Sequence, residues 1–242
     1  MGRAFEYRKA AKLKRWGHMA KTFTRLGKQI AIAVKAGGPD PDTNSTLRGV
    51  IATCKRENMP KDNIERAIKN ALGKDQSDYK GMTYEGYGPH GIAVFVDTLT
   101  DNTTRTVADV RNIFNKNGGS MGEAGSVAWA FTYKGVILLD AEKYSEEQIM
   151  DLVLEAGAED METEENVHEI STTSDTFDAV TKALEAAGIE MMSAELSYVP
   201  NDTVKLESAD AKKLLALIDK FEDNDDVQDV YHNAEIDEAD ME

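Results

Sequence analysis

With 242 residues, 41% of them hydrophobic, and a formal net charge of −16, the chain can bury a substantial core and is long enough for two or three modest domains. Its one cysteine, Cys54, excludes an intrachain disulfide and a zinc site of several thiolates, and fits a reducing cytoplasm. The longest apolar runs, "IAIAV" at 30–34 and "GVILL" at 135–139, fall far short of the roughly 20 residues a spanning helix needs, which points to a soluble protein with no membrane partner.

The charge is unevenly spread. Residues 1–80 carry 18 Lys and Arg against 8 Asp and Glu, whereas residues 81–242 carry 10 against 36. The start lacks an apolar signal core, and Glu6 stands where a myristoylation motif wants Ser or Thr. A transit peptide is a weaker reading, because the basic character runs on into helical patterns as far as Arg66 and Lys69. In "RKAAKLKR", residues 8–15, Arg8, Lys9, Lys12 and Arg15 follow the spacing of one helix face. Lys21, Arg25 and Lys28 continue it, and no acid lies between Arg8 and Lys35. A merely solvated face is the usual fate of one charged helix, but here the repulsion would go unrelieved. A polyanion relieves it, through phosphate contacts that release counterions. The expected nucleic-acid-binding set is Arg3, Arg8, Lys9, Lys12, Lys14, Arg15, Lys21, Arg25, Lys28 and Lys35.

Within this basic segment, Phe23, Leu26, Ile30 and Val34, then Leu47, Val50, Ile51 and Cys54, then Ile64, Ala67, Ile68, Ala71 and Leu72 recur at helical spacing. They predict three helices packed on one another. Gly37, Gly38, Pro39 and Pro41 end the first, Asn44 or Ser45 caps the second, and Pro60 suits the first turn of the third. "LGKDQSDYKG" then reads as a linker. From residue 81 the period changes, and "GIAVFVD" at 91–97, "TVADVRNIFNKNGG" at 106–119 and "SVAWAF" at 126–131 read as strand, helix and strand. Next come the strand "KGVILLD", a helix at about 145–156 with Ser145 and Gln148 spaced as a capping box, strands near 159–171, a helix at 174–187 and the strand "AELSYVP". The tail offers a strand at "DTVKLE", a helix with Ala211, Leu214, Leu215 and Ile218 inward, and a strand near "VQDVYHN". The expected fold class is therefore α+β and multidomain. A basic helical domain at 1–80 precedes a split α/β domain at 81–133 plus 201–242, with an acidic α/β domain at 134–200 inserted in it.

"GYGPHG" at 86–91 matches a dinucleotide fingerprint only in letters, since it precedes a strand and contains Pro89; a turn is the expectation. "EDNDDVQD" at 222–229 resembles a calcium loop without its glycine and closing glutamate, and reads as a solvated acidic helix end. The four histidines are scattered without metal spacing, and no catalytic constellation stands out, so neither metal, cofactor nor enzymatic activity is expected. The loop "NKNGGSMGEAGSVAWAF" at 115–131 is the second candidate site. Gly118, Gly119, Met121, Gly122, Glu123 and Gly125 form a long glycine-rich connection that is either a flexible connector or an element that inserts into a partner.

Taken in order, "GGPDPDTN", "ENMPKDNIERAI", "YEGYGPHG", "TDNTTRTVADVR", "GGSMGEAGSVAWAF", "EAGAED" and "DDVQDVYHNAE" make the chain resemble the YebC family. Its members are called probable transcriptional regulatory protein and, in mitochondria, translational activator of cytochrome c oxidase. The resemblance implies a helical domain plus two α/β domains, the third inserted in the second. It also implies nucleic-acid binding in gene expression, either as a DNA-binding transcriptional regulator or as a ribosome-associated factor assisting proline-rich translation. The opening "GRAFEYRKAA" departs from the family's "GHSKW" type start. Translation through rRNA is the favoured reading, because no recognition helix offers side chains to base edges and no heptads support a symmetric dimer, which favours a monomer. An enzyme using an interdomain cleft and a protein-binding module are the readings from other classes.

Overall fold

The computed structural model of the protein describes residues 19–73, 78–164 and 166–236. It is an α+β protein, with seven α-helices and two four-stranded antiparallel sheets among those residues. They fall into two compact units: residues 19–127 with Glu207–His232, and Ala128–Leu206 with residues 233–236.

The first unit begins with α1 (Met19–Gly37), α2 (Ser45–Arg56) and α3 (Lys61–Ala71). The apolar stripes of the three helices meet in one cluster in which Leu26, Ile30, Val34, Leu47, Cys54 and Ile64 are buried. Full burial of such a side chain stabilises by roughly 1.5–3 kcal/mol. The α1–α2 corner is held by one side chain. Asn44 Nδ2 donates to the carbonyls of Ala33 at 2.7 Å and Gly38 at 2.8 Å, while its Oδ1 caps α2 by accepting from the Leu47 amide at 3.0 Å. Gly38 ends α1 at φ +87°, where a glycine carries no steric penalty. Pro60 sits at the N-cap of α3, one place before the first helical residue.

The chain then forms the sheet β3-β1-β2-β9, in which β1 (Lys80–Tyr87), β2 (Ala93–Thr100), β3 (Ser120–Met121) and β9 (Val227–His232) are all antiparallel to their neighbours. Helices α4 (Thr103–Lys116) and α7 (Ser208–Glu222) meet through Phe114 and Phe221, whose rings pack edge to face at 4.8 Å. On α7, Ala211, Leu214, Leu217 and Ile218 are buried and Leu215 is only half-buried.

Three expectations are corrected here. The last two residues of the expected linker, Lys80 and Gly81, open β1, which pairs with β2 over eight positions, from Lys80 opposite Thr100 to Tyr87 opposite Ala93. Its two glycines and exposed first half hide the strand period. "GYGPHG" is the hairpin turn between them, with His90 and Gly91 at positive φ. "SVAWAF" is not a strand of this sheet. Val127 is buried, residues 128–130 make a 3-10 turn, and Phe131 opens a strand of the other unit. "DTVKLE" contributes only β8 (Val204–Lys205), which pairs in parallel with β10 (Ala234–Glu235) and not with the split sheet.

The second unit contains β4 (Phe131–Asp140), α5 (Glu146–Glu155), β5 (Ala158–Glu164), β6 (Val167–Thr172), α6 (Phe177–Ala186) and β7 (Met191–Pro200). Strand order β5-β6-β4-β7 with this β-α-β-β-α-β succession is the ferredoxin-like arrangement. Ile137, Leu139, Ile170 and Ala194 on one sheet face are packed against Ile149 and Val153 of α5 and Val180 and Leu184 of α6. The capping box at Ser145 and Gln148 is present. His168 is buried between two partners, with Nε2 donating to the Tyr144 carbonyl and Nδ1 facing the Thr163 hydroxyl, both at 2.8 Å.

Candidate nucleic-acid interface and glycine loop

Of the ten expected cationic contacts, Arg3, Arg8, Lys9, Lys12, Lys14 and Arg15 lie outside the described residues, and Lys21 is described only as part of the α1 backbone. The other three differ in placement. Lys35 is exposed at the end of α1 and pairs with Asp78. Arg25 is half-buried and donates to the Glu222 carbonyl at 3.2 Å. Lys28 is turned inward. Its ammonium donates to Asp226 Oδ1 at 3.0 Å and to the carbonyls of Asp225 at 2.8 Å and Leu99 at 3.1 Å, and it lies 5.4 Å from the Tyr79 ring centre. Lys55, Arg56, Lys61, Arg66 and Lys69 on α2 and α3 are exposed cations of the same head.

Asp226 corrects the reading of residues 222–229 as a solvated acidic end. The turn delivers one carboxylate into the interior. Its Oδ2 accepts from Arg105 Nη2 at 2.7 Å and Nε at 3.2 Å, from Thr106 Oγ1 at 2.9 Å and from Thr100 Oγ1 at 3.2 Å. Burial by itself raises this carboxyl, but the hydrogen bonds from Arg105, Lys28 and Thr106 overcome it and leave the pKa at about 2. Sequence reasoning missed the cluster because its members come from α1, α4 and the α7–β9 turn, with Asp226 standing 198 residues from Lys28 and 121 from Arg105. The signal available was the pair of blocks "TDNTTRTVADVR" and "DDVQDVYHNAE", which supply Arg105 and Asp226.

The glycine loop is ordered by hydrogen bonds. Gly118 has φ +76° and Gly125 φ +86°. A Cβ at Gly119 would stand 2.6 Å from the Tyr87 carbonyl oxygen, so the β1 backbone approaches too closely for any other residue. Ser120 and Met121 pair with Tyr87 and Gly86 as β3. The Gly122 amide donates to the Glu85 carbonyl at 2.8 Å. The buried Glu85 carboxylate then receives the amides of Gly125 and Val127, each at 2.7 Å, and the Tyr87 hydroxyl donates to the Ser126 carbonyl at 3.0 Å. Met121 and Gly122 are half-buried and Glu123 is exposed. The loop thus presents Glu123 from a fixed backbone. The sequence did not show Glu85 as its anchor, because "YEGYGPHG" reads locally as a turn.

Burial pushes the Cys54 thiol up to about 11 and His232 down to about 3. Among the described residues, no group of three or more His, Cys, Asp or Glu is placed to hold a metal ion, and no helix is long and apolar enough to cross a membrane.

Comparison with known proteins agrees with this architecture. Relatives called "Probable transcriptional regulatory protein" are 60% identical in Phocaeicola vulgatus, over 96% of both chains, and 59% identical in Bacteroides thetaiotaomicron, over 99% of this chain and 98% of the relative. A relative of the same description from Clostridium tetani is 50% identical over 90% of this chain and 89% of its own. The crystal structure of the conserved hypothetical protein Aq1575 from Aquifex aeolicus superposes with a TM-score of 0.79 at 39% identity, covering 90% of this chain and 91% of that one. Residues 3–74 match the family described as TACO1/YebC protein N-terminal domain, and residues 79–234 match the TACO1/YebC second and third domain. With a helical head and an α/β remainder each matched in its place, the chain belongs to the TACO1/YebC family.

Proposed function

We propose that the protein is a non-enzymatic regulator of gene expression that binds nucleic acid through its helical head, and that it works on the ribosome as a monomeric, cytoplasmic translation factor assisting proline-rich stretches. The supporting observation is the pre-shaped loop 118–127, which displays Glu123 on the same compact unit that carries the cationic helices. Arg3, Arg8, Lys9, Lys12, Lys14, Arg15, Lys21, Arg25 and Lys35, with the exposed cations of α2 and α3, hold rRNA phosphates by charge. Lys28 serves from inside, by tying α1 to the α7–β9 turn. Gly118, Gly119, Met121, Gly122, Glu123 and Gly125 form the part that reaches a functional region of the ribosome. In this division of labour 1–80 anchors, 81–133 with 201–242 carries the loop, and 134–200 is an acidic insertion removable as a unit.

The names of the relatives favour a second reading, a DNA-binding transcriptional regulator. One experiment separates the two. Cosedimentation with ribosomes at graded salt is run beside in vitro translation of proline-rich and control messages and a promoter-binding assay, with the parent and the Met121→Ala/Glu123→Ala variant. The translation reading expects retained cosedimentation with impaired output on the proline-rich message alone. Equal output from variant and parent on both messages, with altered promoter binding, overturns it.

A further inference from the structure

The structure assigns Glu85 as the positioning residue of the glycine loop, an inference that rests on the loop's proposed action on the ribosome. A carboxylate buried to 6% exposure is costly unless its oxygens are hydrogen-bonded, and both oxygens of Glu85 accept backbone amides of one short segment, Gly125 to Oε1 and Val127 to Oε2. The same residue's carbonyl takes the Gly122 amide. Three amides spaced over residues 122–127 therefore converge on a single residue of β1. This fixes a segment whose two glycines, Gly122 and Gly125, would otherwise sample many conformations, and glycine loses more freedom on ordering than any other residue. Because the ordering cost is met within the free protein, the loop meets its partner already shaped; the cationic helices set the affinity, and the shape of the loop sets how well each bound copy acts. Glu85 acts through the backbone that carries Glu123.

The test uses the full-length protein with Glu85→Ala and Glu85→Gln, the second keeping one acceptor oxygen and thus a more conservative side chain. Amide hydrogen exchange is followed in 119–127, and the rescue of proline-rich translation is titrated against protein concentration. In Glu85→Ala the Gly125 and Val127 amides exchange about tenfold faster or more, as loss of a charge-assisted hydrogen bond implies, with Glu85→Gln between it and the parent and the amides of α1–α3 unchanged. The maximal rescue falls while its half-maximal concentration and ribosome cosedimentation stay at the parent's values. A merely structural role would move the half-maximal concentration and helix exchange as well, and that result overturns the assignment. So does unchanged exchange at 122–127. If Glu85→Ala loosens the loop but rescues fully while Met121→Ala/Glu123→Ala does not, the positioning role alone fails. If the double variant also rescues fully, the ribosomal reading of the loop has failed.

Discussion

Glu85 and Asp226 are buried carboxylates of the same unit, at 6% and 5% exposure, and they are held in different ways. Asp226 faces two cations, Lys28 at 3.0 Å and Arg105 at 2.7 Å, and joins α1, α4 and the α7–β9 turn. Glu85 faces neutral backbone amides and fixes a single loop. The first arrangement cannot lose its anion without stranding a buried ammonium, whereas the second leaves amides in a loop that can turn toward water. One carboxylate therefore holds the unit together and the other sets the shape of one segment.

The largest effect is expected at Asp226. Asp226→Ala lowers the unfolding free energy by about 3–5 kcal/mol, because Lys28 is left charged and buried, and Lys28→Met combined with Asp226→Leu recovers most of the loss. Urea unfolding of the three proteins checks both statements. The folded pKa of Asp226, about 2, lies below the ordinary value, so its contribution is complete above roughly pH 4 and is lost as the pH falls toward 2. Asp226→Ala should lack that acid-side loss.

Next in size is a steric break of the glycine loop. Gly119→Ala places a methyl 2.6 Å from the Tyr87 carbonyl and should cost about 1–3 kcal/mol, with faster exchange confined to 118–127. It sharpens the comparison if the α1–α3 amides keep the parent's protection.

A third carboxylate of the unit tests the opposite sign. Asp97 stands opposite Asp229 across β2 and β9, and burial, followed by the Asp229 charge, raises its pKa to about 6. Above its folded pKa the ionised form is penalised, so stability falls as the pH rises from about 4 through 6 and then levels. Asp97→Asn should stabilise the protein at pH 7 by about 1–2 kcal/mol and flatten that slope, as thermal unfolding from pH 4 to 8 reads directly.

The smallest effect belongs to Lys35, on the same helix as Lys28. Its side chain is 48% exposed and that of its partner Asp78 is 72% exposed, so Lys35→Ala should change stability by no more than about 0.5 kcal/mol while weakening nucleic-acid binding and its salt slope by about one contact.

The sequence by itself determined the local elements whose signals are local. Apolar spacing in α1, α2 and α3, the Asn44 cap, the Ser145–Gln148 capping box and the apolar runs of β2 and β4 each lie within a few residues, and each forms as read except at Leu72, which follows the end of α3 and is exposed. It also set the split between a cationic start and an acidic remainder. Tertiary structure decided which charges face water. Lys28 and Lys35 carry the same side chain seven residues apart, two turns along one helix, yet only the first meets a carboxylate delivered from 198 residues away. It decided the strand at 80–87, where glycines and an exposed edge blur the two-residue period until β2 and β3 supply partners on both sides. It also decided that a glycine-rich stretch is a shaped loop. The residue that shapes it, Glu85, stands about forty residues earlier in the chain, and no spacing rule links a carboxylate to amides at that distance.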